Sequence, residues 1–275
     1  MSTDSSDCAG YFARDSMIWR VNREMALLLV GGRALLMQLA HPKVAAGVAE
    51  HSRFQEDPFR RLHRTMSAMW SIVFDAQGQA RAALDGVTKV HGRVHGVVPA
   101  DEGTWGGAPY DALDQELLLW VHATLIDSAL VAYDLFVTPM AEAEREAYYN
   151  DSKKLASLFG IADEHILNSL GDFNAYVARM IASSAIAAGP AARSLAHDVL
   201  YPRQWIFKPG GPLFRFVTAG LLPEKLRTGY GLKWSARREK TLAQVARVIR
   251  TTLPLVPAPL RIVPNARAAE KAHRR

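Results

Sequence analysis

The chain has 275 residues and a mass of 30.3 kDa, enough for one large domain or two small ones, and it can bury ~75% of its unfolded surface without staples. Apolar residues make up 49% and charged residues 22%, which excludes disorder throughout. The lone cysteine, Cys8, excludes an internal disulfide, a cysteine-rich metal cluster and C-x-x-C-H haem attachment. The net charge of +6 hides an asymmetry: residues 225–275 hold 13 Lys/Arg and 2 Asp/Glu, while residues 1–224 hold 20 and 25. Such a basic end suits anionic lipid or an acidic partner surface, or is simply a solvated helix face and a frayed tail. No aromatic-interleaved motif accompanies it, so no nucleic-acid partner is expected.

Met1–Gly10 is polar and acidic and carries no secretory signal, and residues 1–14 are expected to be a flexible N-terminus. The most apolar stretches, Met25–Gly32 and Ala34–Ala40, are divided by Arg33 and fall short of the ~20 apolar residues of a membrane span, so a cytoplasmic location is expected.

Apolar positions recur at helical spacing and no alternating run demands a sheet, so residues 15–252 are expected to form a single all-α domain. Asp15 to about Leu39 reads as one or two helices broken at Gly31-Gly32, and Pro42 opens a short helix. Asp57-Pro58 supplies a cap and a first-turn proline for a helix from Phe59 to about Asp75. A helix over Ala80–His95 follows, ended by Gly96 with Pro99 beyond. Asp101–Pro109 is a Gly-rich loop and Tyr110–Phe136 a long apolar helix. Thr138-Pro139 repeats the start signal, Glu142 and Glu144 suit a first turn, and Gly160 ends that helix. Helices over Asp163–Ser183, Arg193–Tyr201, Leu213–Leu221 and Trp234–Thr252 complete the set, with a hard break at Pro209-Gly210-Gly211-Pro212. Four prolines in Leu253–Pro264 make residues 253–275 an extended segment and basic tail.

Phosphate-loop, dinucleotide, nucleophile-elbow, H-E-x-x-H and Glu-x-x-His motifs are all missing from the sequence. What remains is histidine. His91 and His95, four apart, share a face of the expected helix, where they hold a metal, or one ligates haem iron, or both are ordinary polar residues. Glu50 and His51 either belong to a site or are a solvated charge and a helix-end residue, with His41 near the cap of the same helix. His122 lies in a very apolar helix with Asp127, as a site group or as part of a satisfied core network. Arg61, Arg64 and Thr65 line one helix face that suits a carboxylate or a polarised oxygen species; otherwise it is a basic solvated face.

Taken in order, HPKVAAGVAEHSRF, DPFRRLHRT, VHGRVHG, WVHATLIDSALVAYDLFVTPM and EREAYY resemble the bacterial and fungal family that contains the latex clearing proteins (rubber oxygenases) and the MpaB-type oxygenase, over about residues 15–250. The resemblance implies a globin-related helical core around a non-covalent haem b. It implies His91 as proximal iron ligand, with His95 as runner-up or propionate contact and His122 as a further cofactor-side group. The family's distal Arg-x-x-Lys-Thr aligns with Arg61, Arg64 and Thr65. The guanidinium of Arg64 stays protonated and is a poor ligand where the family lysine can reach iron. Glu50 is the implied distal base. The implied reaction uses dioxygen to cleave a double bond of an apolar isoprenoid or lipid within an apolar tunnel. The alternatives are a haem-binding sensor or carrier without turnover, and a cofactor-free helical protein. A peripheral membrane contact through the basic C-terminal region completes the expectations.

Overall fold

The computed structural model describes residues 10–51, 58–201 and 210–273; the side chains of residues 58–63 and 273 lie outside the described set. Fourteen α-helices and one two-stranded ribbon occur among the described residues, so the class is all-α as expected.

Ser16 caps α1 (Met17–Asn22) by accepting from the Trp19 amide. A 3-10 helix over Met25–Val30 leads into α2 (Gly31–Leu39). The break therefore comes before Met25, not at Gly31-Gly32. Gly32 sits inside α2 because a Cβ there would stand 2.2 Å from Thr218 Oγ1 and 2.7 Å from the Phe214 ring of α10 (Gly211–Leu221). Then come α3 (Pro42–His51), opened by its proline, and α4 (Pro58–Phe74) and α5 (Gln77–His91). Only Asp75-Ala76 separates α4 from α5, and the two helices pack as a hairpin. Asp57, the expected cap of α4, lies outside the described residues.

Helix α5 ends at His91, four residues earlier than expected. Gly92 is its C-cap, its N–H bonding to the Thr88 carbonyl. The chain then enters β1 (His95–Val97), antiparallel to β2 (Pro109–Asp111), with His95 opposite Asp111 and Gly96 opposite Tyr110. Three-residue strands are too short for alternation to show. Tyr110 therefore lies in a strand, and α6 (Gln115–Ala132) starts later, where Asp114 accepts from the amides of Glu116 and Leu117.

Helix α6, continued by a π turn over Tyr133–Val137, is buried on nearly every side and packs chiefly on α2 and the 3-10 helix Met25–Val30, and then on α7 (Glu142–Leu158) and α8 (Leu170–Ala182). By length and composition Gln115–Val137 could cross a membrane, but 67% of its most apolar window is buried inside the protein, as in a core helix. This segment, and not the two stretches around Arg33, is the most membrane-like of the described chain. Trp120, Tyr148, Phe136 and Phe173 are the largest fully buried side chains; burying one large apolar side chain contributes roughly 1.5–3 kcal/mol. Within this core Arg33 donates to Leu221 O at 2.8 Å, Ser128 Oγ at 2.6 Å and Asp127 Oδ2 at 2.6 Å, tying α2 to α6 and to the end of α10.

Helices α9 (Pro190–Leu200), α11 (Glu224–Gly229) and α12 (Ala236–Thr252) close the bundle, with Gly160 at φ +84° just past α7 as expected. The segment after Thr252 is not extended. It forms a 3-10 turn (Leu253–Leu255), α13 (Ala258–Arg261) and α14 (Pro264–His273), the last lying on α4. Its prolines occupy caps and first turns, where no amide is needed. The Val263 amide donates to Arg23 O at 2.9 Å and ties this tail to α1.

Candidate functional site

The last turn of α3 brings Glu50 and His51 against the ribbon. Tyr110 Oη donates to Glu50 Oε2 at 2.5 Å, and His51 Nε2 lies 3.1 Å from both Tyr110 Oη and the His95 carbonyl. The single phenolic proton goes to Glu50 and a carbonyl only accepts, so Nε2 must carry the imidazole proton. The lone pair of neutral His51 is then on Nδ1. Burial, followed by the Glu50 hydrogen bond, pushes the Tyr110 phenol well up, so it remains a donor at any ordinary pH. Only glycine fits at position 96, because a Cβ there would stand 2.6 Å from Tyr110 Oη and 3.0 Å from Glu50 Oε2. Gly47 gives α3 the same close approach, with the Val94 side chain 3.1 Å and the Tyr110 ring 3.4 Å from its Cβ position.

The α4–α5 hairpin sets the other half. With a two-residue connection, His91 at the end of α5 comes level with the first turns of α4, which carry Arg61, Arg64 and Thr65. His91 is half-buried and makes an interaction of its own, while Arg64, Thr65 and Glu50 are exposed; the side chain of Arg61 lies outside the described set. The chain thus brings His91, Arg64 and Thr65 together on one hairpin, and Glu50 to the ribbon that follows His91 directly.

Two expected site residues fall elsewhere. His95 is exposed on β1 and shares no helix face with His91, because Gly92 stops the helix; its carbonyl contributes to the rim instead. His122 is buried in α6, whose main neighbours are α2, the 3-10 helix Met25–Val30, α7 and α8, and desolvation lowers its pKa to about 4, so it is a neutral core group. Two groups matter more than the sequence reading allowed. Tyr110 was hidden in a presumed helix. His41 is buried with its Nδ1 unpartnered, 5.3 Å from the Trp105 ring, and burial and then Lys43 lower its pKa to about 4. An open cavity of about 500 Å3 beside the cluster is rimmed by Lys43, His95, Gly96, Tyr110, Asp111 and Asp114. Val97 and Pro109 complete its lining, so charged and apolar groups share this open rim.

No group of three or more His, Cys, Asp or Glu able to hold a metal ion occurs among the described residues. Arg64, Arg93 and Lys89, all exposed around the end of α5, supply cations of the kind that meet propionates.

The fold is a helical bundle in which the α4–α5 hairpin carries His91, Arg64 and Thr65 and the end of α3 carries the Glu50–Tyr110–His51 cluster. The chain belongs to the family described as ER-bound oxygenase mpaB/B'/rubber oxygenase, catalytic domain, which matches residues 19–251. Among curated proteins it is similar to the uncharacterized protein Mb2261 of Mycobacterium bovis and the uncharacterized protein Rv2237 of Mycobacterium tuberculosis. Each is 25% identical over 238 residues, covering 84% of this chain and 90% of the relative. No solved structure matches the chain significantly.

Proposed function

We propose that this protein is an oxygenase that holds a haem b through His91 and uses dioxygen to cleave a carbon–carbon double bond of an apolar isoprenoid or lipid. The observation that carries this reading is that one hairpin, α4–α5, carries His91 at its end and Arg64 and Thr65 on its first helix, inside the matched region that also holds the Glu50–Tyr110–His51 cluster. The haem, when bound, supplies the redox-active iron that activates dioxygen. In the overall reaction one alkene and one dioxygen give two carbonyl fragments. Both oxygen atoms end in product, so no external reductant is consumed.

The chain's own residues have separable roles. His91 is the imidazole that would hold the haem iron. Arg64 and Thr65 donate hydrogen bonds toward negative charge developing on oxygen. Tyr110 fixes the Glu50 carboxylate through Oε2, leaving Oε1 to hold or move a proton. His51 braces Tyr110 from the opposite side.

Arg64, standing where the family carries lysine, favours a second reading: a haem-binding sensor or carrier without turnover. Oxygen uptake by haem-loaded protein separates the two. Incubation with isoprenoid alkenes should consume one dioxygen per pair of carbonyl products, and Glu50→Gln should slow this at least tenfold with an unchanged absorption spectrum. A haem-loaded protein that takes up no oxygen across a panel of isoprenoid and lipid alkenes would instead support the sensor.

A further inference from the structure

A second cavity, of about 730 Å3, lies on other elements. Its polar wall is Arg20, Arg23, Tyr133 and Arg261, and its opposite wall, Pro254 and Val256, comes from the segment after α12. Glu24, buried at the base, is taken in a two-point contact by Arg261 at 2.9 and 3.1 Å. Arg20 and Arg23 are paired with Glu144 at 2.7 Å and Glu270 at 2.9 Å, partners that do not line the cavity. Both are half-exposed pairs of the kind that a stronger anion displaces. The Nε of Arg23 is buried and has no partner. A guanidinium carries five donors, so Arg20 and Arg23, one turn apart on α1, keep donors to spare for one anion.

The segment that forms the apolar wall is two-faced. Pro254, Val256 and Ala258 line the cavity, while Leu255 and Leu260 point away from the protein, 82% and 71% exposed. Val248 on α12 is also exposed, at 60%. Arg247 and Arg250 neighbour Val248 on α12, in the region that carries 13 Lys/Arg against 2 Asp/Glu. Large apolar side chains projecting from a basic region, on the same short segment that lines an arginine-walled cavity, are what an anionic bilayer surface complements.

We propose that this end of the molecule docks on anionic phospholipid, with one phosphate head group seated between Arg20 and Arg23 and with Leu255 and Leu260 entering the acyl boundary. The Val263–Arg23 backbone bond holds the two walls in register. The same head-group chemistry exists in a free phosphate ester, and the test separates the two sources.

Full-length protein is sedimented with vesicles of phosphatidylcholine alone and of equal parts phosphatidylcholine and phosphatidylglycerol. Expected is at least tenfold stronger association with the anionic vesicles, weakened by salt. The double variant L255S/L260S replaces side chains that face solvent, so it should keep its thermal midpoint and lose the association at least tenfold. Arg20→Gln should weaken it severalfold, with the loss confined to anionic vesicles. Equal sedimentation of wild type and L255S/L260S overturns the proposal. So does binding of glycerol 3-phosphate without binding of vesicles, which would make the cavity a soluble-ester site. A concentration-dependent dimer abolished by L255S/L260S, with no vesicle association, would overturn it in favour of a second copy of this chain.

Discussion

Helix α6 and the end of helix α3 both carry polar groups among apolar neighbours, and they treat them in opposite ways. Around α6 the polar groups close on the protein itself: Asp127 and Ser128 take the Arg33 guanidinium, Leu221 O takes its Nε, and His122 is neutral and buried. At the end of α3 they open outward: Glu50 and His51 are exposed and share Tyr110, and each keeps an atom for something outside the fold. Saturated polar networks stabilise and specify a core. A cluster with spare valence at a rim is open to a partner from outside the fold. Burial separates His122, enclosed in α6, from His91, half-buried at the end of α5.

The largest effect should come from breaking the closed network. Asp127→Ala leaves the Arg33 guanidinium, with a side chain only 7% exposed, without its counter-charge, and should cost about 3 kcal/mol in denaturant unfolding. The double replacement Arg33→Met/Asp127→Leu should recover most of that loss. No recovery would mean that the backbone contact to Leu221 O, and not the charge pair, holds the three helices together.

Acid should act next, on the two buried histidines. His122 and His41 titrate near pH 4 in the folded protein and near 6.5 unfolded, because burial disfavours the charged ring. Between those values the unfolded chain binds more protons, so stability present above pH 6.5 is lost as the pH falls toward 4, by up to about 3 kcal/mol for each ring. Urea midpoints measured across that window should show the slope, and His122→Leu should flatten it. An unchanged slope in that variant would place His122 in contact with water or a counter-charge.

The open region should respond in activity more than in stability. Gly96→Ala would drive a methyl into Tyr110 Oη and Glu50 Oε2, costing about 1–3 kcal/mol and uncoupling the pair. Tyr110→Phe removes one donor at a cost of about 1 kcal/mol, and should lower turnover about tenfold or more without changing haem content. Equal losses of stability and haem content in both variants would make the cluster a structural brace.

Much of this was legible in the sequence because local signals were strong. Pro42 and Pro58 open α3 and α4, Gly160 follows α7, and the all-α class follows from helical spacing. What escaped was set by single residues with two meanings. Gly92 reads as a tolerated helix interior and is a C-cap, which moves His95 off the His91 face. Asp114 is the cap that frees Tyr110 from the helix, but the apolar run behind it masked the start. The prolines after Thr252 exclude helix interiors but not first turns, so short helices form there. Tyr110 meets Glu50 across 60 residues of chain, a pairing that the α3–ribbon packing creates and no local pattern encodes.

The most direct test of the reading is the visible absorption spectrum of purified wild type, His91→Ala and His95→Ala, with added haemin, before and after dithionite. Expected is an intense Soret band in wild type that shifts on reduction, is lost or strongly altered in His91→Ala, and persists in His95→Ala. A band unchanged in His91→Ala, or no haemin binding by wild type, would contradict His91 as the haem ligand and with it the proposed oxygenase.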